Sequence, residues 1–274
     1  MAIKIKFIFR NLADSATITA SPALVTGLPE SNLKFQERNK TARSTSTAAQ
    51  TFSFSWTADQ NVDAIGIKGH NLTAAATLAA PTYSDSAFTT AIDTNAAANC
   101  FAYTGFDAND VLTEADFRII KNAERYLTNR TNVRSMKATL ADASNPDGYI
   151  EASRIFIGKS LELSYSVPYG GAILTLDDLS VQSVMDDGSL VTDKRAKRRR
   201  LELSAHCVAP QEWAALLAGM RYAGLDKDIW VSVFPDQGDY LQAYYSGAFK
   251  FAAPSAFDRH FPGAAQSKLT LIET

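Results

Sequence analysis

Three histidines (His70, His206, His260) and two cysteines (Cys100, Cys207) are the side chains best suited to chemistry in this sequence. No histidine stands in an HExxH spacing and the cysteines form no CxxC, so no metal site is spelled out. His206 and Cys207 are neighbours and match the residue types of a thiolate nucleophile and its base. They sit in LELSAHCV, which alternates as a strand does. Consecutive strand residues point to opposite faces, so the two are expected not to bond to each other. The sequence holds no G-x-S-x-G elbow, no phosphate-binding loop and no GxGxxG. Asp177-Asp178 and Asp186-Asp187 are adjacent acids. A glycosidase needs two carboxylates facing each other across a cleft, whereas aspartate in turns serves the backbone, and the second reading is adopted. No catalytic residue, metal ligand or cofactor is expected. The sequons at Asn39, Asn71 and Asn129 are chance occurrences in a threonine-rich chain without a visible signal peptide.

The strongest charge feature is Lys194, Arg195, Lys197, Arg198, Arg199 and Arg200, six cations in seven residues. Such a run suits nucleic acid or an acidic protein neighbour. It lies between Val191 and an alternating stretch, so it is expected to continue a strand, with Arg198 and Arg200 on one face and Lys197 and Arg199 on the other. No aromatic residues interleave with it. An inter-subunit or edge-strand role is favoured, because charged edges block uncontrolled pairing yet dock on acidic surfaces. Contact with DNA is expected only if the run lines a lumen.

The elements that position these residues are mostly strands. The 274 residues are 46% hydrophobic and 20% charged with a net charge of −2, as in a globular chain. No apolar run approaches the roughly 20 residues of a membrane span. IKIKFIF, residues 3–9, reads as a first strand rather than a leader. Phe52, Phe54 and Trp56 alternate with small polar residues, as do Ile65 and Ile67 in VDAIGIKG. Residues 73–100 read as weak strands joined by loops, and Phe101–Phe106, Phe117–Ile120 and Tyr126–Val133 as further short strands or bends. Ser135 to Lys159 reads as strand, turn, strand: Met136, Ala138 and Leu140 alternate, NPDG makes the turn, and Ile155 and Ile157 face away from Phe156. Beyond this the texture changes, which places a domain boundary between 159 and 160. In the second part Asp186-Asp187-Gly188 makes a hairpin turn, Tyr240–Phe251 alternates, and a helix is expected at about 209–222. Pro210 opens it, and Trp213, Leu216, Leu217 and Met220 share one face. Many short strands with one helix indicate a mainly β protein built from two sandwiches.

WTADQNVDAIGIKGHNL (Trp56–Leu72), followed by ATLADASNPDGYIEASRIFIGK (Ala138–Lys159), resembles the discoidin-type, galactose-binding-like jelly roll of tailed-bacteriophage tail proteins. The likeness covers residues 1–160. Residues 160–274 resemble the tail-tube-like β-sandwich, with one flanking helix, of distal tail proteins. The resemblance implies a structural virion protein of the tail tip or baseplate. It would form a ring with copies of itself and connect tube, hub and fibre proteins to the attachment apparatus, after being made in the host bacterial cytoplasm. The alternative is a carbohydrate-binding module that recognises host-surface glycans. Tyr83, Phe88, Tyr103 and Phe106 would be its stacking candidates, since no ligand motif of the family transfers.

Overall fold

A computed structural model describes residues 4–37, 39–99, 122–164, 167, 171–208, 210–235, 240–253, 257–261 and 264–274. The strands expected at Phe101–Phe106 and Phe117–Ile120 lie outside these residues. In chain order the strands are β1 (Lys6–Ile8), β2 (Thr17–Ser21), β3 (Ala42–Arg43), β4 (Gln50–Lys68), β5 (Thr77–Ala79), β6 (Thr82–Tyr83), β7 (Ala91–Asp93), β8 (Ala98–Asn99), β9 (Asn122–Ala141) and β10 (Glu151–Ala152). They continue with β11 (Arg154–Gly158), β12 (Leu161–Glu162), β13 (Ala172–Asp178), β14 (Val181–Val184), β15 (Leu190–Asp193), β16 (Lys197–Val208), β17 (Ile229–Ser232), β18 (Ser246–Phe251), β19 (Phe257–Phe261) and β20 (Ala264–Glu273). Helices α1 (Pro210–Ala223) and α2 (Tyr240–Tyr244) flank β17. The chain is mainly β, and its described strand pairs are antiparallel.

The first sheet runs β11-β4-β9-β5-β8, with β2 also on β4 and β6 on β9. The aromatic and isoleucine stretches expected as separate strands are one strand, β4, of 19 residues. Met136–Leu140 and Tyr126–Val133 likewise merge into β9. Register shifts near Ser55, Gln60 and Val62 let the two long strands bend without losing their pairing. In the first half of β4 Gln50, Phe52, Phe54 and Trp56 turn inward. In the second half both faces are buried, which is why Val62 to Lys68 reads as an unbroken buried run. Ile65, Ile67, Ile155 and Ile157 enter the sandwich core, while Ala64 and Phe156 face the second sheet with Trp230, Ile8 and Ala248.

β11 pairs with β4 and lies on the side of β4 opposite β9. The strands before and after NPDG therefore do not close a hairpin on each other. Glu151 and Ala152 pair with Ala42 and Arg43 instead, which carries the chain across β4. The turn is locked to the GHNL stretch. Asn71 donates to the Tyr149 carbonyl at 2.9 Å and accepts from the Glu151 N–H at 2.8 Å. Asn145 donates to the Asn71 carbonyl at 3.0 Å. Asp142 accepts from the N–H and hydroxyl of Thr73. The two motifs meet as a structural clamp.

The second sheet runs β12-β1-β17-β18-β20-β16-β13, with β19 on β20. β1 thus belongs to the sheet of the second part, between β12 and β17, and sheet membership crosses the expected 159/160 boundary. The reason lies in IKIKFIF: Ile5 and Phe7 fill the second core, and Ile8 turns to the inter-sheet cluster. The first sheet is in effect inserted between β1 and β12. Residues 240–244, expected as strand, form α2, and β18 begins at Ser246. α1 spans nearly the expected range. Leu216 and Ala223 are buried on the second core with Trp213 and Met220 beside them, whereas Leu217 is 44% exposed. It lies one residue, about 100°, past the inward stripe.

Two buried polar links fasten the sheets together. Arg154 of β11, 2% exposed, grips Asp228 ahead of β17 with Nε and one terminal nitrogen at 2.7 and 2.8 Å. It also reaches Asp14 at 3.1 Å and the Lys34 carbonyl. Glu124 of β9 accepts from Trp230 and Ser232 of β17, Gln242 of α2 and Tyr126, at 2.7–2.9 Å.

Candidate functional site

The basic run is divided by the fold. Lys194 and Arg195 lie in the connection after β15, and Lys197 to Arg200 open β16. β16 pairs with β13, which sets Asp177 opposite Arg198 and Asp178 opposite Lys197. Asp177 lies 2.9 Å from Arg200 and 3.7 Å from Arg198, and Asp178 lies 3.5 Å from Lys197. Arg195 meets Asp193 at 3.1 Å. Carboxylates of the same chain thus stand where acids of a neighbouring subunit were expected. The ladder thus sets Lys197, Arg198 and Arg200 against acids 19–23 residues upstream. Bonds from the Ser180 hydroxyl and N–H, with Lys197 adding, hold the Asp178 carboxyl below the usual range.

Alternation holds within the run. Arg198 and Arg200 share Asp177, while Arg199 turns inward and is buried. Its guanidinium pairs with Glu273 at 2.9 Å, donates to the Tyr244 carbonyl at 2.6 Å and lies 5.5 Å over the Phe249 ring. Gly247 leaves the space this side chain fills: a Cβ there would stand 2.8 Å from it. Arg199 is therefore a structural cation, and the accessible charges are those around it.

Beyond Asp178 the second sheet gives way to an arm. Among the described residues β14 and β15 pair only with each other, through the turn at Asp186–Gly188, where Gly188 has φ +80°. Every residue of both strands is exposed. Val184 and Leu190 stand opposite each other, 70% and 59% exposed, and Val181, Met185 and Val191 of the same arm are exposed too, as is Leu176 of β13 before it. A hairpin that displays this much apolar surface on both faces is unlike ordinary monomer surface. The sequence signalled the hairpin turn but not this exposure, because alternation alone reads the same over a core and over solvent.

On the first sheet Tyr83 and Phe88 come together. Their rings meet edge to face at 5.6 Å, with the Lys137 ammonium 5.5 and 5.1 Å from the two centroids. Phe88 has φ +61° in a loop gathered by Asp85, which accepts from the N–H groups of Ala87, Thr89 and Thr90. The bonds from Thr89 and Thr90 pull the Asp85 carboxyl down to about 2. Tyr103 and Phe106 lie outside the described residues.

His70 is buried, and its Nδ1 accepts from the Leu72 N–H at 3.2 Å. His206 and Cys207 are consecutive in β16, inside a register shift between Ala205 and Val208. Their side chains, that of His260, and Cys100 lie outside the described set. Among the described residues no group of three or more His, Cys, Asp or Glu could hold a metal ion, and no helix is long and apolar enough to cross a membrane.

No protein-family model matches the chain, and no curated protein matches it. Solved structures do. A chitosan-binding module of a Paenibacillus sp. chitosanase/glucanase aligns with 16% identity over 55% of this chain and 99% of its own, with a TM-score of 0.37. A CBM32 module of Clostridium perfringens in complex with GalNAc-β-1,3-galactose aligns with 9% identity over 55% and 100%, with a TM-score of 0.38. A GH29 fucosidase of Ruminococcus gnavus in complex with fucose aligns with 13% identity over 55% of this chain and 27% of its own, with a TM-score of 0.39. At these scores the likeness carries no argument about what the present chain binds.

Proposed function

We propose that the chain is a structural assembly subunit whose second sheet is completed by neighbouring copies, in the setting its sequence resemblance implies: the tail tip or baseplate of a tailed bacteriophage. The observation that supports this is the arm of β14 and β15. A two-stranded hairpin gains little stability in isolation, and Val184, Met185, Leu190 and Val191, 46–70% exposed, gain only part of the hydrophobic contribution of burial. Both become favourable when another chain covers them. β13, seven residues long, is the last strand of the second sheet among the described residues and precedes the arm, a surface suited to strand addition. Lys197, Arg198 and Arg200 lie one strand in from that edge, on β16, where Arg198 and Arg200 share the single carboxylate of Asp177, and the charge left over would set register against an acidic neighbour. Multi-angle light scattering tests the reading: the purified chain is expected to reach a mass several times that of one chain as concentration rises. A single-chain mass at every concentration would reject it.

Glycan binding by the first sandwich is the second reading, favoured by the Tyr83–Phe88 pair. Two half-exposed rings beside a lysine offer an apolar face and a charge to a sugar ring, and Asp85 braces the loop that carries one of them. A bulky residue at positive φ is held there by its surroundings at some cost. Titration against a glycan panel tests it. Binding that Tyr83→Ala and Phe88→Ala both abolish would support the reading, and no binding across the panel would remove it. The two readings are compatible, since the rings lie on the first sheet and the arm on the second.

A further inference from the structure

The helix α1 is apolar on two sides. Inward it presents Trp213, Leu216, Met220 and Ala223 to the second core. Outside that stripe Leu217 is exposed on its flank and Tyr222 about 140° further round, and Leu225 follows just past Gly224, each 44–52% exposed. A helix apolar all round belongs in an interior, and in a single copy this one has solvent along its outer side. Charge accompanies the patch. Arg221 is exposed between Leu217 and Tyr222, and Lys227 lies 3.8 Å over the Tyr222 ring. Asp226 is the exposed acid beside them, since Asp228 is buried against Arg154. The patch therefore carries one positive charge in excess.

The arm has the complementary character. Its tip turn holds Asp186 and Asp187, both exposed, directly beyond the facing pair Val184 and Leu190. Asp187 is held ionised by the hydroxyl and N–H of Ser189. The cations nearest the arm, Lys194 and Arg195, lie at its root, and Arg195 is matched by Asp193. An apolar pair capped by two acids thus faces outward on one part of the chain, and an apolar patch with two cations faces outward on another.

We infer that the arm of one copy seats its Val184–Leu190 face on the outer side of α1 of a second copy, with Asp186 and Asp187 set against Arg221 and Lys227. The inference rests on the reading that the chain self-assembles and names the surface that receives the arm. The contact is head to tail: each copy offers one arm and one helix, so copies add in sequence and either close into a ring or extend. Desolvation of the leucines and valine supplies the attraction, and the opposed charges select orientation and partner.

Two variants test the pairing by sedimentation velocity. The arm variant carries Val184→Asp and Leu190→Asp, and the helix variant Leu217→Glu and Leu225→Glu. All four positions are exposed, and near-ultraviolet circular dichroism checks that the fold is kept. Each variant alone is expected to lose self-association at least tenfold. Mixed in equal amounts, they are expected to form a one-to-one dimer and nothing larger, because each supplies the surface the other has lost. A helix variant that assembles like wild type, or a mixture that stays monomeric, overturns the inference. Wild type that assembles while the helix variant is unaffected removes only this contact. Wild type that never assembles removes the assembly reading as well.

Discussion

The indole N–H of Trp230 donates to Glu124 Oε2 at 2.8 Å, and this bond joins β17 of one sheet to β9 of the other. Ser232 and Gln242 donate to Oε1 at 2.7 and 2.8 Å. Lys6 of β1 lies 3.9 Å over the ring of Tyr126, the fourth partner. Burial nevertheless holds the Glu124 carboxyl above the usual range, although the four bonds oppose the shift. The folded chain therefore keeps this proton to higher pH than the unfolded chain does. The contribution of Glu124 is fully present below the ordinary carboxylate value and is lost as pH rises through the raised folded value. Urea midpoints across the acid-to-neutral range should show Glu124→Gln gaining on wild type as pH rises. Parallel curves for the two proteins would contradict the assignment.

Gly66 of β4 is where the ring of Trp230 passes closest to the first sheet. A Cβ there would stand 2.5 Å from a ring carbon. Gly66→Ala should force the indole away from Glu124 and lower stability by about 1–3 kcal/mol, the usual range for overpacking. Chemical denaturation measures this, and an unchanged midpoint would show that the ring has room to move.

Arg154 and Asp228 form the second link, both almost fully buried. Removing Asp228 leaves the buried Arg154 with only the half-exposed Asp14 as counter-charge. Asp228→Ala should therefore cost about 3–5 kcal/mol. Replacing both, as Arg154→Met with Asp228→Leu, should cost less than Asp228→Ala alone, because no charge remains stranded. A double variant at least as unstable as Asp228→Ala would show that the pair contributes net stability beyond that penalty.

Much of this architecture was legible in the sequence because alternation reports which face of a strand is dry. Ile155 and Ile157 parted from Phe156 as expected, and Trp213, Leu216 and Met220 marked the inward side of α1. What was not legible depended on distant partners. Nothing local in IKIKFIF says that β1 will pair with β17, more than two hundred residues away. The bends in β4 and β9 join stretches that look like separate strands. Glu124 and Arg154 look like ordinary surface charges until Trp230 and Asp228 are placed beside them. Leu217 was expected inward because it adjoins the apolar stripe, and residue type alone cannot tell that flank from a core position.

The arginine run should divide by burial rather than by position. Arg199→Ala removes the guanidinium that pairs with Glu273, although the backbone N–H of residue 199 still donates to that carboxylate, and empties the space beside Gly247, so it should cost more than any other change in the run. Arg198→Ala and Arg200→Ala remove half-exposed contacts to Asp177 and should each cost under about 1 kcal/mol. Thermal unfolding of the three variants separates them. Equal losses would mean that all three cations are structural.

Amide hydrogen exchange along the arm tests the central claim most directly. In a dilute, monomeric sample the cross-strand bonds of β14 and β15 have solvent on both faces, so their amides should exchange rapidly. At concentrations where the chain assembles, residues 181–193 should become protected while the amides of β4 and β9 stay as they were. Exchange at residues 181–193 that is the same at every concentration, in a sample shown to assemble, would contradict the account and place the assembly surface elsewhere.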